Sequence, residues 1–254
     1  MATTLYLIRH GETEGSETKR YKGSIDVPLS EKGIRQMEQV AKYLSQNIVT
    51  PTHPSPSRGE GKGGGENHSN KLNAVYCSNL SRAIKSAEII AKPYNLNPIQ
   101  MKDLRERSFG IWEGMSFTEI KEKYPQEFEA WATNPLRYSP MGGESTLEVR
   151  DRVINVLDKI ISDQIHKGHD RIQDTGCKMQ DEKNHESCIM NHAFSSNIAI
   201  VSHGGVNRII LCHILGIPLE NIFRIEQDYA AVNIIEFWDK YPVVKLLNGG
   251  IELK

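Results

Sequence analysis

Thr4-Leu5-Tyr6-Leu7-Ile8-Arg9-His10-Gly11-Glu12-Thr13 is an apolar run that ends abruptly in polar and charged residues. Its first half reads as a buried strand. A second run far downstream ends in much the same way: Asn197-Ile198-Ala199-Ile200-Val201-Ser202, then His203-Gly204-Gly205. A third, Asn73-Ala74-Val75-Tyr76-Cys77-Ser78, is followed by Arg82 at an expected helix start. In parallel α/β sheets, ligands bind at the carboxyl ends of strands. Arg9, His10, Arg82 and His203 are therefore expected at one site, built from both ends of the chain. Two arginines and two histidines suit an anionic ligand, most simply a phosphoryl group.

The rest of the chain alternates between strands and helices. Ser30 to about Gln46 reads as a helix with Ser30 as its cap, since Ile34, Met37, Val40, Ala41 and Leu44 fall at helical spacing. Helices are also expected from Ser81 to about Ala91 and from Ser145 to about His166, with two short ones between Ser116 and Thr133. Val206–Leu215 is a further helix, ended by Gly216 and Pro218. A short strand is expected near Pro98–Met101, and Val232–Phe237 with Val243–Leu247 as a hairpin around residues 239–242. This rhythm predicts one domain over 1–254: a three-layer α/β/α fold with a mainly parallel central sheet. Two stretches break it. Residues 50–70 are rich in Pro, Ser and Gly, and residues 167–195 are polar without a clear period. Both are expected to be disordered surface insertions, because neither buries enough to offset its ordering entropy.

A chain of 254 residues is ample for such a domain, and 38% hydrophobic with 25% charged residues is ordinary for a soluble protein. The net charge of −1 leaves no overall basic field to recruit nucleic acid, so attraction for a phosphate must be local. No signal peptide or membrane span is apparent, and Cys77, Cys177, Cys188 and Cys212 do not form a disulfide framework. Cytoplasm is the default compartment. The expected state is a monomer or homodimer, the strand at 243–247 being a possible free edge for pairing.

These segments resemble the histidine phosphatase superfamily, which includes the cofactor-dependent phosphoglycerate mutases. The resemblance rests on Arg9-His10-Gly11-Glu12-Thr13, the segment from Arg20 to Ser30, Ser78-Asn79-Leu80-Ser81-Arg82-Ala83, Leu104-Arg105-Glu106-Arg107-Ser108-Phe109-Gly110 and Val201-Ser202-His203-Gly204-Gly205, in the family's order. It covers most of the chain outside the two insertions and implies a phosphoglycerate mutase-like fold. It also implies a reaction in which a small phosphorylated metabolite gives its phosphoryl group to His10, and His10 gives it to water. A neutral imidazole can do this near neutral pH. Arg9 and Arg82 would fork onto the phosphoryl oxygens, and His203, expected to be protonated, would neutralise growing charge. Glu106 would protonate the leaving alkoxide and later accept a proton from water, which asks for a raised pKa beside the anionic substrate. Glu113 and Glu12 are rivals for that acid. Thr13, Ser16, Gly23 and Gly204 complete the implied substrate pocket. Ser16 departs from the family's usual Asn but keeps a hydrogen-bond donor at shorter reach. No cofactor and no metal are needed on this plan.

The family's mutases carry an adjacent Arg pair, and this chain has none. Phe109-Gly110-Ile111-Trp112-Glu113-Gly114 instead resembles the phosphatase branch, especially the α-ribazole phosphatases of cobalamin synthesis. Gly142-Gly143-Glu144-Ser145 ahead of a long helix points the same way. A broad-specificity sugar-phosphate phosphatase, a mutase and a non-catalytic phosphate-binding protein remain the alternatives. Arg20 is either a substrate contact or a surface charge, and Trp112 is either a packed core ring or a family marker. Cys177, His185, Cys188 and His192 are four possible zinc ligands in the second insertion, without a standard finger spacing.

Overall fold

The computed structural model describes residues 2–18, 20–48, 71–174, 195–238 and 241–250. Residues 50–70, and Cys177, His185, Cys188 and His192, lie outside them. Six strands form one sheet: β1 (Ala2–Arg9), β2 (Ala74–Ser78), β3 (Ile99–Met101), β4 (Ser195–Ser202), β5 (Val232–Trp238) and β6 (Tyr241–Gly249). Their spatial order is β3-β2-β4-β1-β5-β6. The pairings β3·β2, β2·β4 and β4·β1 are parallel, whereas β5 and β6 close the sheet as an antiparallel pair beside β1.

Side chains alternate across a strand, so each buried strand feeds two cores. Leu5, Leu7, Ile198 and Ile200 pack on one face against α5 (Thr146–Asp174) and α6 (Gly204–Leu215). Tyr6, Ile8, Ala199 and Val201 pack on the other against α1 (Glu31–Asn47) and α2 (Ser81–Ala91). This is the expected three-layer arrangement. Ser30 caps α1 by accepting from the Gly33 N–H at 3.1 Å, and Met37, Val40, Ala41 and Leu44 form its buried stripe. Two short helices, α3 (Phe117–Lys123) and α4 (Pro125–Thr133), sit between β3 and α5.

One expectation needs correction. The polar stretch from residue 167 was read as loop, but α5 continues through Asp174, and Ser195 already belongs to β4. Extending a packed helix adds one backbone hydrogen bond per residue without a new nucleus, so an apolar stripe is not needed for the last two turns. Tyr241 and Pro242, assigned to the turn, belong to β6. The strand 243–247 does lie at the sheet edge.

Candidate active site

Strand register builds the centre. Arg9 pairs with Ser202 across the parallel β1·β4 ladder, so His10 and His203 leave neighbouring strand ends together. Their ring centroids are 5.1 Å apart. His10 is held at both backbone groups: its N–H donates to Ser202 O at 3.0 Å and its carbonyl accepts from Ala230 at 3.1 Å. Its Nδ1 lies 2.7 Å from the Gly11 carbonyl, which can only accept. The ring proton therefore sits on Nδ1 and leaves the Nε2 lone pair free. Burial, then the charges of Arg9 and Arg82, push the His10 pKa well below its usual value. A neutral, nucleophilic imidazole follows from the same surroundings.

His203 is fully buried beside His10, and its Nε2 meets Ser78 Oγ at 2.8 Å. The surroundings of His203 disfavour the protonated ring that was expected. Burial, then His10, Arg82 and Arg9, drive its pKa well below the usual value. Ser78 Oγ also accepts from the Leu80 N–H at 3.3 Å, and its own hydroxyl proton can be donated to His203 Nε2. A neutral His203 then carries its hydrogen on Nδ1, which has no partner among the described residues.

Arg82, at the start of α2, is buried, and its Nη1 and Nη2 donate to the Ile25 and Gly23 carbonyls at 2.7 and 2.8 Å. Part of the expected fork thus holds the 23–25 loop, while the remaining N–H groups stay available. Gly23 serves that loop through its shape. Its φ is +49°, and a Cβ there would lie 2.5 Å from Glu113 Oε1. Arg9 donates through Nη1 to Gln227 O at 2.5 Å and lies 3.9 Å from the Tyr229 ring centroid, while its buried Nε has no partner among the described residues. Burial lowers the pKa of both arginines, and Glu106 partly restores it. Buried polar atoms rarely stay unpaired, so Arg9 Nε and His203 Nδ1 mark a site built for an acceptor-rich anion.

Glu106 lines the same cleft of about 560 Å³ as His10, Arg9 and Arg82. Its carboxylate accepts from the backbone N–H groups of Arg107 at 2.9 Å and Gly205 at 3.1 Å. A Cβ on Gly205 would come 2.5 Å from Glu106 Oε1, so a larger residue there would push the Glu106 carboxylate aside. The rivals are engaged elsewhere. Glu113 accepts from Ser24 and from the Phe109 N–H, and Glu12 pairs with Lys32 at 2.8 Å. Thr13, Ser16 and Gly23 line the cleft as expected; Gly204 does not, packing instead against Arg9 while its neighbour Gly205 faces the cavity.

Two cleft residues escaped the sequence reading. Lys22 Nζ donates to Thr13 Oγ1 at 2.9 Å and to the Glu14 carbonyl, and burial followed by the Arg82 charge lowers its pKa. The Tyr229 ring lies over Arg9 and 5.8 Å from the His10 ring centroid. Nothing local in the sequence marks Lys22 as a cleft residue. Arg20 is committed: its guanidinium forks onto Glu119 at 2.7 and 3.1 Å, holding that carboxyl down to about 2 together with the Ser116 N–H, the larger cause. Trp112 is buried and stacks on Tyr138 at 5.6 Å.

A sequence profile of the histidine phosphatase superfamily (branch 1) matches residues 5–58, 65–170 and 185–249. "Phosphoserine phosphatase 1" of Hydrogenobacter thermophilus is 27% identical over 96% of this chain and 91% of its own length. "Adenosylcobalamin/alpha-ribazole phosphatase" of Escherichia coli is 24% identical over 96% of this chain and 95% of its own. The crystal structure of the alpha-ribazole phosphatase from Shigella flexneri superposes with a TM-score of 0.72 over 99% of both chains, at 22% identity, and so shares the fold. The match over most of the sequence, together with paired histidines at adjacent strand ends, places this chain in the histidine phosphatase superfamily.

Proposed function

We propose that the chain hydrolyses small phosphomonoesters through a phosphohistidine at His10, with α-ribazole phosphate as the favoured substrate. The observation that carries the phosphohistidine step is the His10 tautomer: a buried neutral ring with its Nδ1 proton tied to Gly11 and its Nε2 beside two arginines. Phosphatase relatives in the same family support it. In the first step Nε2 attacks phosphorus and the P–O bond to the alcohol breaks. Glu106 gives its proton to the departing alkoxide. In the second step the Glu106 carboxylate takes a proton from water, whose oxygen attacks phosphorus, and the P–N bond breaks to release inorganic phosphate. Arg9 and Arg82 hold the non-bridging oxygens, and His203 assists through a neutral Nδ1–H rather than a full charge.

The α-ribazole preference rests on the Phe109-Gly110-Ile111-Trp112-Glu113-Gly114 pattern and on the likeness to alpha-ribazole phosphatases. The relative named for phosphoserine makes that ester its main competitor. Phosphate release is measured without added metal from α-ribazole phosphate, phosphoserine, phosphoglycerate and an aryl phosphate, for wild type and His10→Ala. Turnover lost in His10→Ala supports the mechanism. Turnover kept at wild-type rate by that variant would refute it.

A further inference from the structure

The cleft that holds His10 and Arg82 is also lined by Phe109, Trp112, Phe117, Phe128, Trp131 and Phe223. Four of these rings form a connected set. Trp112 meets Trp131 edge-on at 6.3 Å, Trp131 meets Phe128 at 5.6 Å, and Phe128 meets Phe117 at 5.0 Å. The helices that carry them have almost no core of their own: α4 buries no residue, and α3 buries Ile120 alone. Phe117 is 49% exposed and Phe223 79% exposed. Large apolar side chains left open inside a cleft mark a binding surface rather than a folding one. Trp112 adds an independent sign. Its ring is buried, yet its indole N–H has no acceptor among the described residues.

The cations on the same walls are already committed or sit at the phosphate. Arg20 forks onto Glu119. Arg107 spends its donors on the Glu144 carbonyl, Thr146 Oγ1 and the Tyr138 carbonyl. Lys22 holds Thr13 and the Glu14 carbonyl. Arg208 donates to Ile225 O, and its Nη1 would lie 3.4 Å from a Cβ on Gly204, next to Arg9. Among the described residues, the guanidinium that lies against these rings is that of Arg107, 5.1 Å from the Phe109 centroid, and its Nε, Nη1 and Nη2 each already donate elsewhere.

We infer that the alcohol released by this enzyme carries a large, uncharged, aromatic body that packs against Trp131, Phe128 and Phe117, and that compact carboxylate-bearing esters such as phosphoserine and phosphoglycerate are poor substrates. The inference rests on hydrolysis at His10 and deepens it by naming the class of leaving group. A volume of about 560 Å³ is ample for a phosphate with such a body attached.

The test uses the full chain and a series with similar leaving-group acidity, so that only the body changes: ethyl, phenethyl and naphthylethyl phosphate, with phosphoserine and phosphoglycerate beside them. The expected result is a kcat/KM that climbs at least about tenfold from ethyl to naphthylethyl phosphate. That naphthylethyl-to-ethyl ratio collapses towards one in Trp131→Ala and in Phe117→Ala, while ethyl phosphate turnover and the Tm of each variant report any loss of folding. A flat series, or a preference for phosphoserine or phosphoglycerate over naphthylethyl phosphate, overturns the inference while leaving hydrolysis standing. His10→Ala tests hydrolysis separately. If folded wild type turns over none of the five esters, hydrolysis falls and the inference falls with it.

Discussion

Acid should weaken this fold through its two active-site histidines. His10 and His203 are both held neutral in the folded site, with pKa values well below the usual 6.5. In the unfolded chain each returns to about 6.5. Below that pH the unfolded state binds the extra protons, so stability falls as pH falls, and the loss begins at the unfolded value. Each group contributes a slope of up to about 1.4 kcal/mol per pH unit. Between about pH 7.5 and about pH 5.5 that gives about 1.3 kcal/mol per histidine and about 2.6 for the pair. Against the 5–15 kcal/mol typical of a native domain this is a large share. The assay is urea unfolding at the two pH values for wild type, His10→Gln, His203→Gln and the double variant. The pH-dependent loss should shrink by about 1.3 kcal/mol in each single variant and by about 2.6 kcal/mol in the double. A double variant that loses as much stability as wild type over this range would refute the reasoning.

Other consequences are open to kinetics and unfolding. Glu106→Gln should slow ethyl phosphate hydrolysis by about 10² to 10⁴, yet barely affect a dinitrophenyl ester whose leaving group needs no proton, because the lost function is acid catalysis. Arg82→Lys should not rescue Arg82→Ala, since an ammonium cannot hold the Ile25 and Gly23 carbonyls and a phosphate together; both should lose about 10² or more in kcat/KM. Gly23→Ala, forced to φ +49° and against Glu113, should lower both the Tm and kcat/KM, whereas Gly142→Ala, with open space around its Cβ, should leave kcat/KM within about threefold despite its own backbone strain. Asn207→Ala removes the acceptor of Ser202 Oγ at 2.6 Å and a donor to Gln227 Oε1 at 3.3 Å, so it should cost about 2–4 kcal/mol in urea unfolding.

What could be read from sequence was what repeats locally. The apolar runs that end at Arg9 and Ser202 carry their own signal, and a parallel ladder then has few ways to place His10 and His203 other than side by side. Helix caps such as Ser30, and stripes such as Met37, Val40 and Leu44, are equally local. What depended on surroundings was misread or missed. The His203 pKa is lowered first by complete burial and then by His10, Arg82 and Arg9, none of which is visible at its own position. Tyr229 comes from the connection before β5, with no periodicity to announce that its ring covers Arg9. The polar buried network of Asn207, Gln227 and Asn233 behind Arg9 looks in sequence like ordinary surface residues. The last two turns of α5 lack an apolar period because they extend a helix already anchored by Val149, Val153, Leu157 and Ile160. Among three acidic candidates, the Leu104-Arg105-Glu106-Arg107-Ser108-Phe109-Gly110 context already favours Glu106, and the fold adds that Glu106 faces the cleft while Glu12 and Glu113 brace loops.

The central claim is that His10 carries the phosphoryl group. The most direct measurement is rapid quenching of enzyme mixed with a radiolabelled phosphomonoester, followed by peptide mapping of the label. The account predicts an acid-labile, base-stable phosphoryl group on His10 that forms and decays at rates compatible with turnover, absent in His10→Ala. Label on another residue, or steady turnover by His10→Ala with no labelled protein, would contradict it.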